Sequence, residues 1–386
     1  MEETIYRYAL DIMAEGGAPL GQVPIEPDWE PALEWASFQG IRRGLLAARM
    51  GSYPGIIRPI WDGERGEPYV AGFRAVIPGK DDGAVTSDFP TSYVRHLALQ
   101  ASTTFVDKGL LKPGDLFRFR VCAFGSPPAP ARQAASGGLE VEEIPCSLPV
   151  ASTPLSTFLE GSVPDGPAAV AEDFPVFLPQ HVLDEMASLC REAPDLEIGG
   201  VLVGKLHRDP EAGEVFLEVT AQIPARHTLC EATKLEFTAE TWAAVDVAIS
   251  LRRQDEVKIG WWHQHPNWCR NCPPEKRRNC VGSSAFMSAE DLHLHRVCFG
   301  SAYHVALLMS NNSTIGLGWY LFGWRQGVVV SRGFNIIGGR LARHEERVVD
   351  GRAVGEQRSA ANNGDGTASE RQLAVSEANS TACKGE

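Results

Sequence analysis

The sequence predicts a mixed α+β/α/β chain built as two globular parts. Three observations carry that reading. Runs with strand periodicity and runs with helical periodicity alternate in both halves of the 386 residues. A stretch rich in Pro, Ala, Ser and Gly, 125–173, separates them and reads as an extended linker. After the last periodic run the chain turns polar, and 339–386 is expected to be a disordered tail. The expected layout is therefore a separate mixed α+β domain over 1–124, the linker, and a second domain over 174–338.

In the first domain, Pro31 to Met50 has helical spacing, with Leu33, Phe38, Ile41, Leu45 and Leu46 as its apolar set. Ile56 to Ile77 reads as a hairpin around Asp62-Gly63-Glu64-Arg65-Gly66. A second helix is expected over Thr91 to Lys108. A turn at Gly109 to Asp115 then leads into the alternating strand Leu116 to Val121. No catalytic constellation emerges in this part; its one histidine, His96, is more simply a packed or exposed residue. In the linker, Pro127, Pro128, Pro130, Pro145, Pro149, Pro154, Pro164 and Pro167 leave too little apolar surface for a core.

The second domain opens with a short strand, Pro175 to Leu178, and an amphipathic helix, Pro179 to Arg191, carrying Val182, Leu183, Met186 and Leu189. Glu197 to Gly204 and Val215 to Ile223 read as buried strands. Thr238 is a natural N-cap for a helix reaching about Arg253. The strand Val257 to Trp262, the Asp291 helix, and strands at Tyr303–Ser310 and Ile315–Trp324 complete it.

Composition narrows the function classes. An apolar fraction of 44% is ordinary for a globular protein, and a net charge of -13 argues against general nucleic-acid binding, which needs a basic face. Met1-Glu2-Glu3-Thr4 lacks the features of a secretory signal. No run of 18 or more apolar residues would span a membrane, so a cytoplasmic protein is expected. Four of the nine cysteines, Cys269, Cys272, Cys280 and Cys298, crowd around one candidate site, which favours metal binding over a disulfide framework.

That site is marked by His263-Gln264-His265. Residues i and i+2 of a strand point to the same face, so both imidazoles can reach one ion. Ser288-Ala289-Glu290-Asp291 then reads as the first turn of a helix that brings Asp291 to the same place. Two imidazoles and a carboxylate are three of the four ligands of a catalytic zinc, whose open position holds water.

Glu197 in Glu-Ile-Gly-Gly-Val-Leu-Val-Gly, His263-x-His265-Pro266 and Ser288-x-x-Asp291 together resemble the JAMM (JAB/MPN) metalloprotease pattern. Leu235-Glu236-Phe237-Thr238 before a helix, Gly260-Trp261-Trp262 before the histidines, and Phe286 to His293 agree with it. That last run is similar to the AMSH-type deubiquitinases. The resemblance covers about 174–338. It implies a JAB/MPN domain, a mixed β-sheet flanked by helices and cytidine-deaminase-like. It implies Zn2+ on His263, His265 and Asp291, with Glu197 as general acid/base and Ser288 as hydrogen-bond donor to the oxyanion. The implied reaction is hydrolysis of the amide bond after the C-terminus of a ubiquitin-like protein, in deconjugation or precursor processing. The implied partners are that protein or its conjugates, and conjugation-pathway enzymes that the first domain would recruit; neither nucleic acid nor a membrane is expected. Trimming a ubiquitin-like sulfur carrier is the nearest alternative, and a non-catalytic MPN scaffold is the rival from another class.

One departure stands out. The segment from Pro266 to Met287 is long and carries Cys269-x-x-Cys272 and Cys280, which have zinc-site composition. A second, structural zinc is expected there, with His293, His295 or Cys298 as the fourth ligand. The AMSH resemblance favours His293, whereas His295 shares a helix face with Asp291.

Overall fold

The computed structural model describes residues 4–79, 83–126, 146–225, 228–231, 234–266, 286–312, 316–338 and 371–374. It is an α+β chain, mostly sheet, and divides into two compact units. The first comprises 1–36, 54–144 and 350–386; the second comprises 37–53 and 145–349. The boundaries expected at 124 and 174 therefore shift: 37–53 and the end of the expected linker belong to the second unit.

The first unit is built on an antiparallel sheet. Its strands are β1 (Ile5–Ala14), β2 (Pro19–Ile25), β3 (Ile56–Trp61), β4 (Tyr69–Pro78), β5 (Ala84–Pro90) and β6 (Leu116–Ser126), in the order β2-β1-β6-β4-β3 with β5 also on β4. The expected hairpin is β3–β4, with Ile56 facing Val76. Helix α1 (Glu30–Arg42) is shorter than its sequence pattern suggests, because Gly44 takes a left-handed conformation (φ 71°) that ends it. Helix α2 spans Arg95–Asp107. Arg371–Ala374 pairs with β6, so these four residues of the expected disordered tail are a strand.

The second unit is a mixed sheet with a largely apolar core into which a few polar side chains are built. Residues 146–173, expected as linker, instead supply β7 (Val150–Ser152), α3 (Ser156–Leu159) and β8 (Ser162–Asp165). The prolines were compatible with strands because β7 is short and β8 is the end strand of the sheet, where a missing N–H costs least. Residues 127–145 of that linker lie outside the described residues. Next come β9 (Val176–Pro179), α4 (Gln180–Glu192), β10 (Gly199–Arg208) and β11 (Val215–Pro224). The small hairpin β12 (Thr228–Glu231) and β13 (Lys234–Phe237) precedes α5 (Ala239–Arg252), whose N-cap is Thr238 as expected. Then follow β14 (Val257–His265), α6 (Ala289–Cys298), β15 (Val305–Asn312), β16 (Gly316–Arg325), β17 (Val328–Arg332) and β18 (Phe334–Ile337).

The strand order is β17-β16-β15-β14-β10-β11-β9-β18-β8, which puts β14 in the interior of the sheet. It pairs antiparallel with β10 and parallel with β15, and Ile259 through His265 are buried without alternation. That is the mark of a strand covered on both faces. Val201, Val203, Val245, Trp261, Phe299, Ala306 and Leu308 form the apolar cluster beneath it. Two glycines permit the close approach of strands here. A Cβ on Gly260 would strike the carbonyl of Val305, and one on Gly200 would lie 2.7 Å from the indole nitrogen of Trp262. Arg208 fixes the end of α1 by donating to the carbonyls of Ile41 and Arg42, at 2.5 and 3.0 Å. That contact, with the Arg42–Glu214 ion pair, explains why 37–53 belongs to this unit. None of the described helices is long and apolar enough to cross a membrane.

Candidate metal centre

Strand alternation places His263 and His265 on one face of β14, and their Nε2 atoms lie 3.2 Å apart. Each ring is oriented by an aromatic neighbour. His263 stacks on Trp261, with centroids 4.5 Å apart and planes 12° from parallel, while His265 leans on Phe286 at 5.3 Å. Trp261 is itself pinned, because its indole N–H donates to Nδ1 of His295 at 3.1 Å.

Asp291 arrives from the first turn of α6. Ser288 is the N-cap: its hydroxyl accepts from the Asp291 N–H at 3.0 Å, and the Asp291 carboxylate accepts from the Ser288 N–H at 2.8 Å. This reciprocal cap fixes the carboxylate's position and places it at the positive end of the helix dipole. Its Oδ1 then lies 3.5 Å from His263 Nε2 and its Oδ2 lies 3.7 Å from His265 Nε2. Burial alone would raise the Asp291 pKa, but His263, His265 and the Ser288 N–H together hold the carboxyl far below the usual carboxylate range.

Glu197 is not in β10 as expected. It sits two residues before the strand, in the loop from α4, with its Oε1 4.0 Å from His263 Nε2 and 3.9 Å from His265 Nε2. Its carboxyl is pushed up to about 7, chiefly by burial; Asp291 and Glu290 add to the rise and His263 opposes it.

Glu197, His263, His265 and Asp291 thus form a buried quartet whose ligand atoms lie within 4.8 Å of one another, and which could hold a metal ion. Distances separate their roles. Two ligands each ~2.0–2.1 Å from a tetrahedral zinc are about 3.3 Å apart. The two imidazoles at 3.2 Å are closest to such an edge, Asp291 follows at 3.5 and 3.7 Å from them, and Glu197 is the most distant at 3.9–4.0 Å. Two imidazoles and a carboxylate are a donor set that suits a divalent ion such as zinc, and the Glu197 carboxylate lies beside them. His263 Nδ1 is buried without a hydrogen-bond partner among the described residues.

The expected second zinc site falls mostly outside the described residues, since Cys269, Cys272 and Cys280 lie in 267–285. His293 is exposed on α6 and is not part of the quartet. His295 is buried and occupied by Trp261, and Cys298 is exposed. The sequence reading missed Gln264. Its side chain is 2% exposed on the face opposite the two histidines and donates to the carbonyls of Ala193 and Leu196, each at 2.6 Å. A polar residue inside an otherwise apolar, doubly covered strand was the available signal, because a buried amide needs partners.

No family model matches the chain, and no curated protein matches it. Among solved structures, it is similar to the solution structure of protein DSY2949 from Desulfitobacterium hafniense. That likeness is 20% identical, covers 44% of this chain and 97% of that one, and has a TM-score of 0.30. A similarity at that level carries no argument about fold or function.

Proposed function

We propose that the chain is a zinc-dependent isopeptidase or metalloprotease that hydrolyses the amide bond after the C-terminus of a ubiquitin-like protein. The observation that carries the reading is the convergence of His263, His265 and Asp291, with the Glu197 carboxylate beside them. The ubiquitin-like substrate class rests on the JAMM resemblance of the sequence motifs, in which the same residues occur in the same order.

His263, His265 and Asp291 would hold the ion. When bound, zinc supplies Lewis acidity and a nucleophile at neutral pH. Glu197, with a carboxyl near neutrality, takes the proton from the attacking water and delivers it to the departing amine. A group with its pKa close to the working pH can do both. Ser288 uses its oxygen to accept from the Asp291 N–H, which leaves its O–H free to donate to the oxyanion. Loss of such a donor costs roughly ~3 kcal/mol in comparable sites.

The test is hydrolysis of ubiquitin-like conjugates and C-terminal fusions by the zinc-loaded chain, with and without a chelator. Glu197→Gln should keep the parent's zinc content and lose turnover by several hundredfold or more. Turnover that survives chelation, or an active Glu197→Gln protein, contradicts the reading.

A further inference from the structure

The general acid/base assigned above has a weakness that the sequence did not reveal. Glu197 lies in the six-residue connection 193–198 rather than in a strand, and the flanking Leu196 is 43% exposed. Inside this connection the Leu196 N–H donates to the Ala193 carbonyl at 3.3 Å. Outside the strand ladder, the position of the Glu197 carboxylate depends on what the connection is bonded to.

We infer that Gln264 is the positioning residue that holds Glu197 in place, an inference that rests on the proposed hydrolase reading. Three bonds from one residue of β14 reach the connection. The Gln264 side-chain amide donates to the carbonyls of Ala193 and Leu196, both at 2.6 Å, bridging the two ends of the turn. The Gln264 backbone N–H donates to the Ile198 carbonyl at 2.9 Å. Glu197 therefore sits between two carbonyls, those of Leu196 and Ile198, that are both fixed by the residue separating the two zinc-ligand histidines. Strand alternation does the rest: His263 and His265 face the metal site while Gln264 faces the opposite way and grips the loop. One three-residue run thus sets both the ligand pair and the distance from it to the acid/base. A side chain with two N–H donors on a flat, fixed head is required, because both carbonyls must be met at once. The Gln264 side chain faces away from the two histidines and acts through Glu197.

Gln264→Met keeps the length and bulk and removes both donors. In the zinc-loaded protein it should lower kcat about 10- to 100-fold, the size expected for a displacement near 1 Å, while KM and zinc content stay as in the parent. Backbone amide exchange should speed up at least tenfold across 193–198 and stay slow in β14 and β15. Leu206→Ala, a core truncation at the far end of β10, is the control for general destabilisation and should leave kcat unchanged. Combined with Glu197→Gln, the Met substitution should cause no further loss, because the group it positions is already disabled. Unchanged kcat or unchanged exchange in 193–198 overturns the inference, as does loss of zinc or an equal kcat loss in the Leu206 control. A zinc-loaded parent that hydrolyses no ubiquitin-like substrate overturns the hydrolase reading instead, and the exchange measurement then still decides whether Gln264 holds the loop.

Discussion

Replacing His295 with Gln should make the protein less sensitive to mild acid. The ring of His295 is buried between Phe299 and Trp324 and accepts from the Trp261 indole. Burial pushes its pKa down to about 3, and the nearby His304 acts in the same direction. An imidazole in an unfolded chain titrates near ~6.5. Between those values the unfolded state holds a proton that the folded state lacks. The stability is therefore complete above about 6.5 and is lost as pH falls toward 3. At pH 5 the loss is about 2 kcal/mol, from ~1.36 kcal/mol per unit over the ~1.5 units below the unfolded value. Glu197 acts in the opposite sense: its carboxyl, raised to about 7, gains the folded state stability as pH falls from there toward ~4.5. The parent's response to acid mixes these with other buried groups, His304 and His265 among them, so the difference between parent and variant isolates His295. Gln retains an acceptor for the Trp261 N–H. Urea unfolding of the metal-free proteins at pH 7.5 and pH 5 should show the parent losing about 2 kcal/mol more than His295→Gln between the two pH values. Equal changes in both proteins would refute the assignment of a buried neutral His295.

Other consequences follow from the same packing. Gly200→Ala forces a methyl group against the Ile223 carbonyl and the Trp262 indole, so urea unfolding should show a loss of ~1–3 kcal/mol or more; a neutral substitution would mean that β10 and β14 are not as close as described. Asp291→Asn removes the charge that balances the two histidines while leaving one carbonyl oxygen to accept from the Ser288 N–H of the helix cap, so calorimetric titration should show zinc affinity falling at least tenfold. Elemental analysis of the parent should give two zinc equivalents, falling to one when Cys269 and Cys272 are changed to Ser; a single equivalent in the parent would remove the second site.

Much of the second unit was legible because its signals were local. Thr238 and Ser288 announced the helices they cap, and the HxH spacing on an apolar strand announced a shared face. What escaped depended on partners distant in sequence. The strands β1, β2 and β5 carry polar and glycine residues that a sheet tolerates at partly exposed positions, and β7 and β8 are held by neighbours rather than by their own propensity. The reading of Glu197 as a strand residue failed for a similar reason. The apolar run continues through Gly199 and Gly200, yet ladder pairing with His263 begins only at Gly199. Gln264 was passed over as the spacer between two histidines, because nothing local says where an amide on the far face finds its carbonyls.

The central claim is that His263, His265 and Asp291 meet on one divalent cation. Anomalous diffraction at the zinc edge from crystals of the loaded protein tests it. The expected result is a peak ~2.0–2.2 Å from both Nε2 atoms and from a carboxylate oxygen of Asp291, with Glu197 outside bonding range. A zinc bound elsewhere while the two imidazoles remain bare, or one with Glu197 as a direct ligand in place of Asp291, would contradict it.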